Sequence, residues 1–204
     1  MIGIINYGLG NIRAFSNIYK LLDIPFIVVS NTDDMAKVTK IILPGVGAFD
    51  QAVKRLQNSG LRECLDENVI CRKKPVLGVC VGMQMLARTS EEGVEEGLGW
   101  IDGATKKFDQ SLDHGPGCVP HMGWNDVRPV KENGLFYGLE QNSRFYFLHS
   151  YYFSCNRSED ALAVTTYGAK FVSAINCGNV YGVQFHPEKS HSYGIRLLKN
   201  FWEL

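Results

Sequence analysis

The chain has 204 residues, 45% hydrophobic and 21% charged, which suits one large domain or two small ones, with a core that needs no disulfide or metal staple. Twenty-one Lys plus Arg balance twenty-one Asp plus Glu, excluding a strongly basic nucleic-acid binder and an acidic solvating tail. No basic residue precedes the apolar start and no apolar run approaches the ~18 residues of a membrane span, so the six cysteines, none in a C-x-x-C pair, read as reduced thiols of a cytoplasmic protein.

Ile2–Ile5 reads as a short strand closed by Tyr7-Gly8-Leu9-Gly10-Asn11. Ile12, Phe15, Ile18, Tyr19 and Leu22 follow at helical spacing, and Pro25 ends that helix. Phe26–Val29 and Ile41–Leu43 are the next strands, the second cut off by Pro44-Gly45-Val46-Gly47. Val53, Leu56, Leu61 and Leu65 predict helix on either side of Gly60. Val76–Val79 is a fourth strand, with a helix predicted from about Met83 to Arg88. Short apolar strands alternating with amphipathic helices imply a parallel sheet covered on both faces.

The second half is β-rich. Trp124–Val130, Phe145–Ser154, Ala161–Tyr167, Phe171–Asn176 and Val180–Phe185 predict mixed or antiparallel strands. A last helix, about Tyr193–Trp202, carries Ile195, Leu198 and Phe201 on one face. The fold class expected is α/β, as a single domain over residues 1–204. Its mostly parallel central sheet is flanked by helices and has an antiparallel β-rich extension.

Gly78-Val79-Cys80-Val81-Gly82 lies where a strand hands over to a helix. A residue on so tight a bend needs small neighbours, as in a nucleophile elbow, and a helix N-terminus favours a thiolate. Alone, the pentapeptide fits a buried cysteine on a strand end equally well. The strand ending in His186-Pro187-Glu188 changes the balance. In extended chain, residues two apart point the same way, so Glu188 would orient a His186 that serves Cys80 as base and acid. Alone, that tripeptide reads as a surface turn. Pro44-Gly45-Val46-Gly47 also follows a strand, and its N–H groups could face an oxyanion beyond the strand ends; alone, it is an ordinary Pro-Gly turn.

Together with Asn6-Tyr7-Gly8-Leu9-Gly10-Asn11, Pro120-His121-Met122-Gly123-Trp124-Asn125, Phe145–Tyr151 and Gln184–Ser190, these segments resemble the class I, triad-type glutamine amidotransferases over essentially the whole chain. Within them, the Pro-His-Met-Gly-Trp-Asn and His-Pro-Glu-Lys-Ser segments are similar to the branch that forms the glutaminase subunit of imidazole glycerol phosphate synthase. The resemblance implies a flavodoxin-like sheet and a catalytic triad of Cys80, His186 and Glu188. It also implies an oxyanion N–H from the Gly45-Val46-Gly47 loop, supplied by Val46 after a peptide rearrangement. Glutamine contacts would come from Gly47, Gln84, Ser150 and Tyr151. Asn11, Met122, Tyr146 and Lys189 would face a HisF-type β/α-barrel cyclase in a heterodimer. No cofactor or metal is implied.

Tyr151-Tyr152-Phe153 and His191-Ser192-Tyr193-Gly194 depart toward a related branch that feeds ammonia to surface-polysaccharide sugar amidation. Three other readings compete. His114, Cys118 and His121 have metal-ligand types but no clear fourth ligand. A cysteine peptidase would pair its nucleophile with a histidine, though not usually through His-Pro-Glu at a terminal strand. A non-catalytic regulatory subunit would normally have lost one member of the triad. The expected motifs occupy the chain from Asn6 to Trp202, leaving no stretch for a synthase, so ammonia made here is expected to pass to another protein.

Overall fold

The computed structural model describes residues 1–108, 119–139, 141 and 143–204. The first half alternates β1 (Ile2–Ile5), α1 (Ile12–Leu21), β2 (Phe26–Val29), β3 (Lys40–Gly45), α2 (Phe49–Asn58), α3 (Arg62–Asp66), β4 (Val76–Cys80) and α4 (Val81–Gln84). The second half is β5 (Thr89–Ser90), β6 (Gly103–Lys107), β7 (His121–Pro129), β8 (Ser143–His149), β9 (Tyr151–Cys155), β10 (Ala161–Tyr167), β11 (Ala169–Cys177), β12 (Val180–Val183) and a closing helix α5 (His191–Glu203).

The twelve strands of the described residues join one sheet, whose main path runs β2-β1-β3-β4-β12-β11-β10-β7-β8. From β2 to β12 the pairings are parallel; from β12 onward they are antiparallel. β12 is the seam, parallel to β4 and antiparallel to β11. A branch of β9, β6 and β5 leaves β11. β1 and β4 are buried along their whole length, as strands covered on both faces must be. Helix α2 buries Phe49, Ala52, Val53 and Leu56, positions i, i+3, i+4 and i+7 of one face. Helix α5 buries Gly194, Leu197, Leu198, Asn200 and Phe201, leaving Ile195 half-buried at the edge of that face. Among the described residues, no helix is long and apolar enough to cross a membrane.

Three expectations need correction. The helix expected over Met83–Arg88 is one turn, Val81–Gln84: the Leu86 and Ala87 amides donate to the carbonyls of Met83 and Gln84, three residues back, and the chain then leaves the helix. A returning loop satisfies the carbonyls of Met85, Leu86, Ala87 and Arg88 through the amides of Leu98, Ile101, Gly99 and Gly97. Phe145–Ser154 is two strands, β8 and β9, with a corner at Ser150; β8 pairs with β7 whereas β9 pairs with β6 and β11. Strand β7 begins at His121, ahead of the expected Trp124. Of the residues weighed as metal ligands, His114 and Cys118 lie outside the described residues.

Close backbone packing of α4 on β3 sets a sharp limit on residue size. A Cβ on Gly82 would sit 2.0 Å from the Leu43 carbonyl oxygen, a backbone atom of a buried strand that cannot step aside. Gly82→Ala is expected to lower unfolding stability by about 2 kcal/mol or more, read from the denaturant midpoint at unchanged m-value.

Candidate active site

Cys80 ends β4 and caps α4 with φ 55° and ψ −114°, a left-handed backbone that a residue with a side chain adopts only where its surroundings enforce it. The enforcement is steric. A Cβ on Gly78 would meet the Gly82 carbonyl at 2.6 Å, and one on Gly45 would meet the Gly82 amide at 2.3 Å. Residues 78–82 can fold back on themselves, and against β3, only because these positions lack side chains. The one-turn α4 supplies little macrodipole to the Cys80 sulfur, less than the expected helix would have. The Gln184 Nε2–H points at the Cys80 sulfur across 3.8 Å, and the Leu148 carbonyl lies 3.8 Å away on another side.

The sheet brings the partners together. β3, β4 and β12 are adjacent and parallel, with Gly45 opposite Cys80 and Val183 opposite Val79. Their carboxyl ends therefore deliver Val46–Gly47, Cys80 and His186 to one place. His186 Nδ1 lies 2.9 Å from Glu188 Oε1, and both side chains are almost fully buried. The pairing matches the expectation but its geometry does not: Pro187–Lys189 is a 3-10 turn, so Glu188 reaches the imidazole by curling back rather than by strand alternation. The His186 amide donates to the Tyr146 carbonyl at 2.8 Å, and the Ser190 hydroxyl donates to the His186 carbonyl at 2.6 Å. Burial opposes a charge on His186, but hydrogen bonds to Cys80 and Glu188, together with their negative charge, outweigh it and push its pKa up to about 10.

A cavity of about 330 Å³ opens over the thiol. It is lined by Val46, Gly47, Cys80, Gln84, Ser150, Tyr151 and His186 among others, which joins most of the residues expected to bind there. Gly45 stands behind that wall as a packing position. Gln84 spends both amide hydrogens, on the Tyr151 carbonyl at 3.0 Å and on Gln184 Oε1 at 3.1 Å. Its own carbonyl oxygen is thus the atom left to hold an incoming amide.

Glu92 also lines the cavity, its carboxylate oriented by the Phe49 amide at 2.9 Å. Nothing in the sequence singled it out, because Glu91, Glu92, Glu95 and Glu96 look like an ordinary solvated charge run. His149 is a further wall residue left out of the sequence reading.

Of the four residues expected at a partner face, Met122 and Tyr146 lie on the β7/β8 ribbon. Met122 is exposed, and the Lys189 ammonium sits 5.6 Å over the Tyr146 ring. Lys189 also lines the cavity. Asn11 stands at the start of α1, which packs against the Pro187–Lys189 turn. Exposed Leu148 and Trp124 pair across the ribbon with Met122 and Tyr146. His121 is occupied at both ring nitrogens by protein partners, and among the described residues no group of three such side chains is placed to hold a metal ion.

A family model described as glutamine amidotransferase class-I matches residues 4–204. The chain is 56% identical to the imidazole glycerol phosphate synthase subunit HisH of Bdellovibrio bacteriovorus and 49% identical to that of Leptospira interrogans, each over 204 residues and the whole of both chains. A solved glutamine amidotransferase superposes with a TM-score of 0.74 over 99% of this chain and 97% of its own, at 19% identity; that likeness bears on the fold.

The raised His186 has a measurable consequence. Its ordinary pKa is 6.5 and its folded one about 10, so the charged pair contributes stability that is full below pH 6.5 and is lost as pH rises through about 10. Glu188→Gln removes the carboxylate charge. The His186 titration followed by imidazole NMR is expected to move back toward 6.5, and the alkaline loss of stability is expected to shrink with it.

Proposed function

The chain belongs to the class-I glutamine amidotransferase family, and from that premise we propose that it is the glutaminase subunit of an imidazole glycerol phosphate synthase in histidine biosynthesis. The observation that carries the glutaminase half is the convergence of a strained-elbow thiol, a buried His-Glu pair and Gln84 on one cavity. The acceptor half is supported by full-length relatives that bear the HisH name. On this reading the chain is one amidotransferase domain working in the cytoplasm, and its partner is a HisF-type β/α-barrel cyclase in a heterodimer.

The chemistry follows from the geometry. Glutamine enters with its side-chain amide against the Gln84 carbonyl and its α-ammonium toward Glu92, while Gly47, Ser150 and Tyr151 complete the wall. The Cys80 thiolate attacks the amide carbon, and the loop at Gly45-Val46-Gly47 offers N–H groups to the oxyanion, with Val46 the donor after its peptide turns. Protonated His186, held by Glu188, gives its proton to the leaving nitrogen, and ammonia departs. Water deprotonated by His186 then cleaves the thioester to glutamate and restores the thiol. Ammonia leaves toward the partner across the face that carries Met122, Tyr146 and Lys189, with Asn11 nearby.

Cys80→Ala is expected to abolish glutamine-dependent ammonia release, by at least ~10³-fold, in the protein mixed with its cyclase partner. Ammonia release that survives this substitution would sink the reading. Supplying the partner with phosphoribulosyl formimino aminoimidazole carboxamide ribonucleotide should yield imidazole glycerol phosphate; glutaminase activity without that product would point to the sugar-amidation branch.

Glu92→Gln is expected to raise the KM for glutamine roughly tenfold or more, the worth of one charge-assisted hydrogen bond, with kcat nearly unchanged. Steady-state kinetics on the complex would measure this.

A further inference from the structure

Outside the triad, the structure buries two more histidines beside the cavity. His121 opens β7 and His149 closes β8, directly opposite one another in register. His121 Nδ1 and His149 Nε2 are 3.0 Å apart, His149 Nδ1 is 2.7 Å from the Tyr151 carbonyl, and Asn125 Nδ2 is 3.2 Å from His121 Nε2.

These contacts fix every hydrogen. The Tyr151 carbonyl only accepts, so the His149 proton is on Nδ1, and its Nε2 accepts from His121 Nδ1–H. His121 Nε2 is then an acceptor, filled by Asn125. The Asn125 amide is oriented independently, because Nδ2 also donates to the Thr166 carbonyl at 2.9 Å while its oxygen accepts from the Asp126 amide at 2.8 Å. All four ring nitrogens are satisfied with both rings neutral, and a proton on either would set two donors face to face.

We propose that His121 and His149 are positioning residues for the glutamine site. Their one-way chain of hydrogen bonds, Asn125 to His121 to His149 to Tyr151, pins the Tyr151 carbonyl where it holds Gln84. That carbonyl accepts from His149 on one side and from Gln84 Nε2 on the other, so both its lone pairs are spent and neither neighbour can turn. Gln84 in turn braces Gln184, whose amide points at the Cys80 sulfur.

The surroundings favour the uncharged state of both rings. His121 is stacked between Phe147 and Tyr167, and Phe108, Phe147 and Phe171 pack around His149. The ionisable groups facing the pair are Tyr167 and, from the triad, His186. Burial pushes His121 down to about 4 and His149 down to about 3.

The glutamine part of this proposal rests on the function proposed above, and the test separates the two. In the full-length protein labelled with ¹⁵N-histidine, two of the five histidines are expected to hold the Nδ1–H tautomer and not to titrate between pH 5 and 8. His121→Asn should remove one of these signals. A ring of this pair that titrates above pH 6, or carries its proton on Nε2, would overturn the relay whatever the protein does to glutamine. In the complex, His121→Leu leaves the His149 acceptor without a donor and is expected to raise the KM for glutamine about fivefold with kcat changed less than twofold. His121→Asn keeps an N–H near the Nδ1 position and is expected to bring KM back to within about twofold of the parent. Equal KM values for the Leu and Asn variants, both folded by thermal melting, would show packing alone and refute the positioning role. If the Leu variant fails to fold, the tautomer measurement on the parent chain still decides.

Discussion

The site depends on one strained residue. Cys80 is held at φ 55°, a conformation that costs about 1–3 kcal/mol and persists only because the backbones around it leave no alternative. Gly45, Gly78 and Gly82 allow β3, β4 and the first turn of α4 to approach within distances that any Cβ would forbid. The bend throws the sulfur beyond the ends of the parallel strands, where His186 arrives from β12. Helix α4 then lasts only one turn. The chain after Gln84 turns back and gives its carbonyls to residues 97–101, which brings the segment carrying Glu92 past the cavity.

Three buried histidines show how partners outweigh solvent exposure. Burial pushes the pKa of His121, His149 and His186 downward in every case. Only His186 faces a carboxylate and a thiol, and only His186 is raised. His149 faces a backbone carbonyl and another imidazole, so its proton serves to orient rather than to transfer. The imidazole with anionic partners is the one whose charged form is favoured, while burial favours the neutral form of the other two.

The parts legible in the sequence are those governed by short-range rules. The buried strands β1 and β4, the face of α2, the glycine-flanked elbow and the His-Pro-Glu segment each announce themselves within a few residues. Strand β6 does not, because Gly103-Ala104-Thr105-Lys106-Lys107 has little apolar alternation and is a strand through its pairing with β9. The helix expected over Met83–Arg88 is another case: the chain tightens after Gln84 and pairs with a loop that is distant in sequence. Glu92 is a long-range feature too, a glutamate among glutamates until the fold sets it on the cavity wall. Glu188 pairs with His186 as expected, yet through a 3-10 turn that Pro187 permits and strand periodicity does not describe.

The β7/β8 ribbon joins these observations, because strand alternation gives it two chemically different faces. Met122, Trp124 and Leu148 are exposed on one face, while His121 and His149 are buried on the other and Asn125 is half-buried there. Met122 belongs to the proposed partner face; on the inward side His149 reaches the Tyr151 carbonyl, with His121 and Asn125 behind it. The Tyr146 carbonyl on the same ribbon accepts from the His186 amide, and the Leu148 carbonyl stands beside the Cys80 thiol. A displacement of this ribbon by about half an ångström would lengthen hydrogen bonds to Tyr151 and His186 together, since such bonds weaken quickly beyond their normal range of 2.7–3.2 Å. A partner seated on Met122 and Tyr146, as proposed above, would stand one strand's thickness from the backbone carbonyls that touch the nucleophile and its base.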